Sequence, residues 1–353
     1  MQNKSLTAHI NVKQLKTYGK STIACLLLAM ALFSCASIDD NLDDCPPDTE
    51  PKSNYKMEYQ LRLVTNMTTE LKTQLATAIE TQVAGILQNH LKDIFSDFAH
   101  DVDLSFYDTQ GDLSRLQHDR HIMDANQSSY ELSLPMRQYM HLAVANIVDN
   151  SEVSLVDDTN SPTAALLQRK GDVIASHTTG LFTARQPMEV LSNVNQTFNV
   201  HLYMANSAAS LVIDPRGISY QKIEVRAKGF ATQFNISDST YVFTDNSPYI
   251  IPQKLETGND MLCYCSVNFP SRDAITRAEE STEPLWQFEV YVTKADGKVA
   301  QTIIDVRDAL KAGELRIVKG FLDDDGALHS NDQKVGVSVT LDWSNGSEFD
   351  SEL

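Results

Sequence analysis

The chain has 353 residues, with 29 Lys and Arg against 47 Asp and Glu, a formal net charge of −18. So acidic a body repels phosphate backbones, and no basic stripe with interleaved aromatics offsets it, which disfavours nucleic-acid binding. The length suits two domains, each large enough to bury a core.

Lys4, Lys13, Lys16 and Lys20 form a basic start with no carboxylate, and an apolar run from Ile23 to Phe33 follows. A helix crossing about 30 Å of hydrocarbon needs about 20 apolar residues, so this run fits the h-region of a signal peptide instead. It ends in Leu32-Phe33-Ser34-Cys35, the pattern of a bacterial lipobox. Residues 1–34 are therefore expected to be a lipoprotein signal peptide, and Cys35 to carry lipid. Each buried acyl methylene contributes ~0.8 kcal/mol, so two or three chains hold a protein firmly to a bilayer. Loss of the four lysines takes the net charge from −18 to −22. Anionic head groups then repel the body, which leaves the lipid as the expected membrane link.

Ser37-Ile38-Asp39-Asp40-Asn41-Leu42-Asp43-Asp44 comes directly after the lipid site. It reads as a solvated spacer or as a sorting signal, since acidic residues at this place resemble the surface-export tag of Bacteroidetes lipoproteins. Outer-membrane surface exposure is the expectation. With Cys45-Pro46-Pro47 and Pro51, residues 35–52 form an acidic tether.

Strand signals start after the tether: Tyr55, Met57, Tyr59, Leu61 and Leu63 alternate with polar residues. One long helix is predicted next from Leu71, Leu75, Ile79, Val83, Ile86, Leu91, Ile94 and Phe98, with Thr68 or Thr69 as its cap. Strands follow at 102–107, 130–134 and 139–147, with turns at 109–112 and 135–138. Residues 148–180 are polar and poorly periodic, apart from a short helical turn expected at 164–168. The second half repeats the β theme at 198–204, 219–227, 240–244, 262–267, 286–293 and 335–343. Asp296-Gly297 marks a hairpin between 286–293 and 299–304. The pattern predicts a mainly β chain of two tandem β-sandwich domains, 53–192 and 193–353, with the helix inserted in the first.

The cysteines divide by place. Cys25 leaves with the signal and Cys35 takes lipid, so Cys45, Cys263 and Cys265 remain. Cys263 and Cys265 point to one face of a predicted strand, where a mutual bridge would be strained. A bridge from Cys45 to either, or a buried pair of small hydrophobes, both fit.

Three constellations invite a chemical reading. His118 and His121 lack a third ligand, and a solvated loop is expected there. Asp323-Asp324-Asp325-Gly326 lacks the ligand spacing and closing Glu of a calcium loop, so a tight turn is expected. Asp101 and Asp103 share one strand face, as paired carboxylates for hydrolysis could, but no lining of aromatics accompanies them. No catalytic residue, no cofactor and no metal is expected.

The lipobox with its acidic stretch and Asp44-Cys45-Pro46, the Phe106-Tyr107-Asp108-x-x-Gly111 turn, and the closing Ala312-Gly313-Glu314, Gly326-x-Leu328 and Val335-Gly336-Val337-Ser338-Val339-Thr340-Leu341-Asp342-Trp343 form an ordered set. That set resembles the fimbrillin-A-associated anchor proteins of Bacteroidales. The resemblance implies transthyretin-like sandwiches, and a lipoprotein that fixes a type V pilus to the outer membrane and limits its length. It implies fimbrillin stalk subunits as partners and no cofactor. Arg62 lies inside the first predicted strand, so a maturation cut there is not expected. The strand 335–343 and the tail 344–353 are candidates for the end that engages the first stalk subunit; the favoured reading of the strand itself is that it completes the second sandwich. A surface glycan-binding lipoprotein is the alternative, but Trp286 and Trp343 read as core rather than as a platform for sugars.

Overall fold

The computed structural model describes residues 54–64, 78–95, 101–122, 129–148, 150–156, 161–162, 165–192, 194–245, 247–273, 284–330 and 335–340. Cys35, Cys45, the tether and Trp343 lie outside them. The chain runs β1 (Asn54–Val64), α1 (Ala78–Phe95), β2 (Asp101–Asp108), β3 (Arg115–Ile122), β4 (Ser129–Pro135), β5 (Gln138–Ala145), β6 (Val153–Val156), β7 (Leu166–Arg169), β8 (Val173–Ala175) and β9 (Phe182–Glu189). It continues through β10 (Thr197–Met204), β11 (Ser207–Asp214), β12 (Tyr220–Lys228), β13 (Gln233–Asn235), β14 (Thr240–Val242), β15 (Tyr249–Ile251) and β16 (Gln253–Leu255). The last six are β17 (Leu262–Asn268), β18 (Trp286–Lys294), β19 (Val299–Val306), β20 (Leu315–Leu322), β21 (Leu328–His329) and β22 (Val335–Thr340). The fold is mainly β, with several sheets and, among the described residues, one helix.

The strands form four sheets. A seven-stranded sheet runs β3-β2-β5-β9-β10-β1-β4 and a five-stranded one β16-β17-β11-β20-β21. A six-stranded sheet runs β22-β19-β18-β12-β15-β8, and a four-stranded one β14-β13-β7-β6. Pairing is antiparallel except where β1 meets β10, β11 meets β20 and β15 meets β8.

Helix α1 forms because Val83, Leu87, Leu91 and Ile94 recur every three or four residues and line one buried face. Leu87 belongs to that stripe in place of the expected Ile86, which is half-buried. The face packs into a core shared by Val102, Leu104 and Phe106 of the seven-stranded sheet and by Val212, Cys263 and Cys265 of the five-stranded one. At the helix end the Gly180 N–H bonds the Ile94 carbonyl at 3.0 Å. A Cβ on Gly180 would lie 2.5 Å from the Phe95 ring, so only glycine lets the chain pass there.

The five-stranded sheet is buried on both faces. Its other side, with Ala209, Leu211, Ile213 and Tyr264, meets Val225, Phe288, Val290 and Ile304 of the six-stranded sheet. A third core, with Leu142, Val144, Leu167, Phe234 and Phe269, joins the back of the seven-stranded sheet to the four-stranded one.

Several sequence expectations change. The helical turn expected at 164–168 is instead strand β7, whose Leu167 and Arg169 alternate inward with period two. The polar stretch 148–180 supplies β6, β7 and β8; β7 and β8 pair with β13 and β15 from the second half of the chain, and β6 pairs with β7. Strand β10, beyond Asn193, lies between β9 and β1 in the first sheet. Strand β11 carries no alternation, because all but its last residue are buried.

Candidate interaction site

The C-terminal strand is the candidate for the partner contact. β22 pairs antiparallel with β19, from Gln301 opposite Thr340 to Val306 opposite Val335. Among the described residues it therefore completes the six-stranded sheet and is its outermost strand on that side. An edge strand presents unpaired backbone groups to one side, the feature that strand addition exploits. The tail 344–353 lies outside the described residues.

The remaining sequence candidates take structural positions. The His118 Nε2 lies 2.8 Å from both oxygens of Asp103, whose side chain is buried. Asp101, on the same face, accepts from the backbone N–H of Ile147 at 2.9 Å and of Val148 at 3.0 Å. The two carboxylates thus serve different partners rather than one reacting centre. Nothing is described of the His121 side chain.

Asp323 closes a turn. Its Oδ1 accepts from the N–H of Asp325 and of Ala327, each at 2.9 Å, and Gly326 sits at φ +80°. His329 Nε2 lies 2.6 Å from the other oxygen. Partial burial pushes the Asp323 carboxyl up, but the hydrogen bonds from His329, Ala327 and Asp325 outweigh it and hold it below the usual range. This is the tight turn expected between strands. Among the described residues, no group of three or more His, Cys, Asp or Glu is placed to hold a metal ion.

Cys263 and Cys265 are free thiols in the core beside α1. Burial pushes Cys263 up to about 11 and Cys265 higher still, so both behave as small hydrophobes. Trp286 is 1% exposed, and its Nε1 donates to the Asp308 carbonyl at 2.9 Å. It is core and offers no face to a sugar.

The motifs that carried the resemblance turn out to be joints. Asp108 accepts from the Gln110 N–H at 2.8 Å and pairs with Arg137 at 2.6 Å, fixing the turn before Gly111. Gly313, at φ +76°, donates its N–H to the Asn206 carbonyl at 2.7 Å. The Ala208 N–H meets the Glu314 carbonyl at 2.9 Å, which starts β20 alongside β11. Asn206 is a joint that sequence reading missed. It is fully buried at the step from β10 to β11, its Oδ1 accepts the Leu181 N–H, and its Nδ2 faces His177 Nδ1 at 2.7 Å. An Asn between two strand runs is an ordinary turn signal, so nothing local distinguishes it.

The sequence profile of the "Fimbrillin-A associated anchor proteins Mfa1 and Mfa2" matches residues 69–345. The chain belongs to that family. A search of the curated proteins finds no match. Among solved structures, a candidate adhesin of Bacteroides thetaiotaomicron superposes with a TM-score of 0.50 at 11% identity, covering 83% of this chain and 99% of that one. The fimbrial anchor protein Mfa2 of Porphyromonas gingivalis gives 0.40 at 12% identity, over 69% of this chain and 80% of that one. A fimbrial assembly protein of Parabacteroides distasonis gives 0.40 at 14%, over 82% and 99%. At such identities the likeness is one of fold alone. Neither the family nor these neighbours is enzymatic in kind.

Proposed function

We propose that this chain is the lipid-anchored foot of a type V pilus, held to the outer membrane at the cell surface through Cys35. The observation that carries this reading is the family match over residues 69–345. The lipobox and the acidic tether, read from the sequence, supply the attachment. In this reading the body comprises two transthyretin-like sandwiches, 53–192 and 193–353, with α1 in the first and strands exchanged across the division. The parallel pair in each main sheet, β1 on β10 and β11 on β20, supports such a repeat.

The contact with the first stalk fimbrillin is made at strand level, at the β22 edge. Main-chain hydrogen bonds there give affinity and alternating side chains give specificity. Pilus length is limited because the occupied foot starts the fibre at the membrane and holds its end there. Cys35→Ala removes the acyl acceptor, and the expected outcome is pili shed into the medium, measured by immunoblot of cell and medium fractions. Pili that stay cell-bound in this variant would overturn the anchor reading.

A further inference from the structure

The outer face of the six-stranded sheet holds a side-chain network more ordered than a solvated face requires. Cross-strand register sets Arg226 beside Glu289 and Tyr291 beside Gln301. The residues between them, such as Ala227, Phe288 and Val290, turn into the core. Glu289 faces outward yet is only 6% exposed. Its Oε1 accepts from Tyr249 Oη and Gln287 Nε2, each at 3.1 Å, and its Oε2 accepts from Tyr291 Oη at 2.9 Å. Gln301 Nε2 in turn donates to Tyr291 Oη at 3.1 Å. Burial, then the hydrogen bond to Glu289, push the Tyr291 hydroxyl up to about 12, so at neutral pH it stays a donor.

The sheet order fixes how the rings lie. Tyr249 sits on β15 and Glu289 on β18, with β12 between them. A ring whose hydroxyl reaches across an intervening strand lies along the sheet instead of standing away from it. Arg226 is 5.7 Å from both ring centroids, and Lys228 is 5.2 Å from that of Tyr249. These cations face the rings at cation–π range and help to hold them in place.

We infer that this face is a carbohydrate-binding platform, on which uncharged sugar rings stack against Tyr249 and Tyr291 while their hydroxyls bond Gln287, Gln301 and Arg226, with Glu289 buried beneath as the group that positions both phenols. Three features select this ligand. The face carries Lys222, Arg226 and Lys228 against Glu224, Glu289 and Asp305, balanced within a chain of −18, so it suits a neutral partner. A sheet face offers side chains and no free backbone, which removes strand addition as a binding mode. Protein interfaces are depleted of charged residues at their centre, whereas the centre here is a carboxylate ringed by amide, phenol and guanidinium groups. Val173 and Ile251 border the face with exposed apolar surface, which the C–H faces of sugar rings can cover.

The platform is independent of the anchor function, which the Cys35 experiment tests by itself. Affinity electrophoresis of the full chain in gels containing mannan, laminarin, xylan or starch tests the inference. At least one polymer is expected to retard the chain, with retention about tenfold weaker in Tyr291→Ala and in Glu289→Gln and unchanged in Lys311→Ala, an exposed residue of the turn before β20. Tyr291→Phe keeps the ring and loses only the hydroxyl, and its partial loss of retention at an unchanged melting temperature separates binding from folding. Retardation by none of the four polymers would overturn the inference, as would equal retention by the parent and both platform variants. Loss of fimbrial-subunit capture in these variants, with retention unchanged, would assign the face to a protein instead.

Discussion

His141 and His177 are both completely buried and both neutral, for reasons visible atom by atom. The Leu181 N–H holds Asn206 Oδ1, so Nδ2 of that amide donates to His177 Nδ1, which must then be unprotonated. Burial, aided by the nearby Arg169 charge, lowers His177 to about 3, and burial lowers His141 to about 4. Between these values and about 6.5 the unfolded chain binds protons that the native imidazoles refuse. Stability therefore falls as pH drops through 6.5, by up to ~1.4 kcal/mol per pH unit for each histidine. Urea midpoints at pH 7, 6 and 5 are expected to fall in that order, and less steeply in His141→Phe. A profile as steep in the variant as in the parent would refute the assignment for that residue. Gly229 supplies a second test. At φ +100°, its added Cβ would lie 2.6 Å from the Trp286 Cα, whereas Gly217, at φ +73°, has nothing within 4 Å. Gly229→Ala is expected to cost at least about 2 kcal/mol more than Gly217→Ala in chemical denaturation, because only the first adds a backbone clash to the strain of positive φ.

Elements differ in how plainly they announce themselves. Helix α1 was legible because one stripe of large apolar residues faces the core while the other side is wet. The β18–β19 hairpin was legible for the matching reason at period two, with Asp296-Gly297 as the turn, and β1 from the alternation of its apolar and polar residues in sequence. β11 was not, since a strand covered on both faces has no polar side to alternate with, and Ser207, Ala208, Ala209 and Ser210 look like a loop. β7 was misread because four residues cannot separate a helical from an extended repeat, and its pairing with β6 and β13 decides the matter. At the C-terminal edge, deleting residues 344–353 is expected to weaken fimbrillin capture in a pull-down while leaving the melting temperature unchanged, since β22 itself remains paired with β19. Equal capture by truncated and full-length chains would sink a donor or docking role for the tail.

The cores of the whole molecule join sequence-distant segments. α1 packs into a core that includes residues of both main sheets, and the segment 173–177 is woven into the second half by Ser176 and His177. The Ser176 Oγ accepts the Val267 N–H at 2.8 Å, and the His177 N–H bonds the Val267 carbonyl at 2.8 Å. Exchange of β6, β7, β8 and β10 across the midpoint couples the halves, so neither can open without exposing the other's core. Residues 53–353 are expected to unfold in one calorimetric transition with matching van't Hoff and calorimetric enthalpies. Two resolved transitions would show that the halves are energetically separate.

The sequence by itself determined the β class, the apolar stripe of helix α1, the tight turn at Asp323, the core place of Trp286 and the ordered motifs that mark the family. These are local properties, carried by periodicity, turn chemistry and residue spacing. Only the tertiary structure decided which strands share a sheet, since hydrogen-bond partners 50 or more residues apart leave no trace in local pattern. It alone gathered Tyr249, Gln287, Glu289, Tyr291 and Gln301 onto one face. Each is an unremarked residue in its own strand, and the network exists only because β12 lies between β15 and β18.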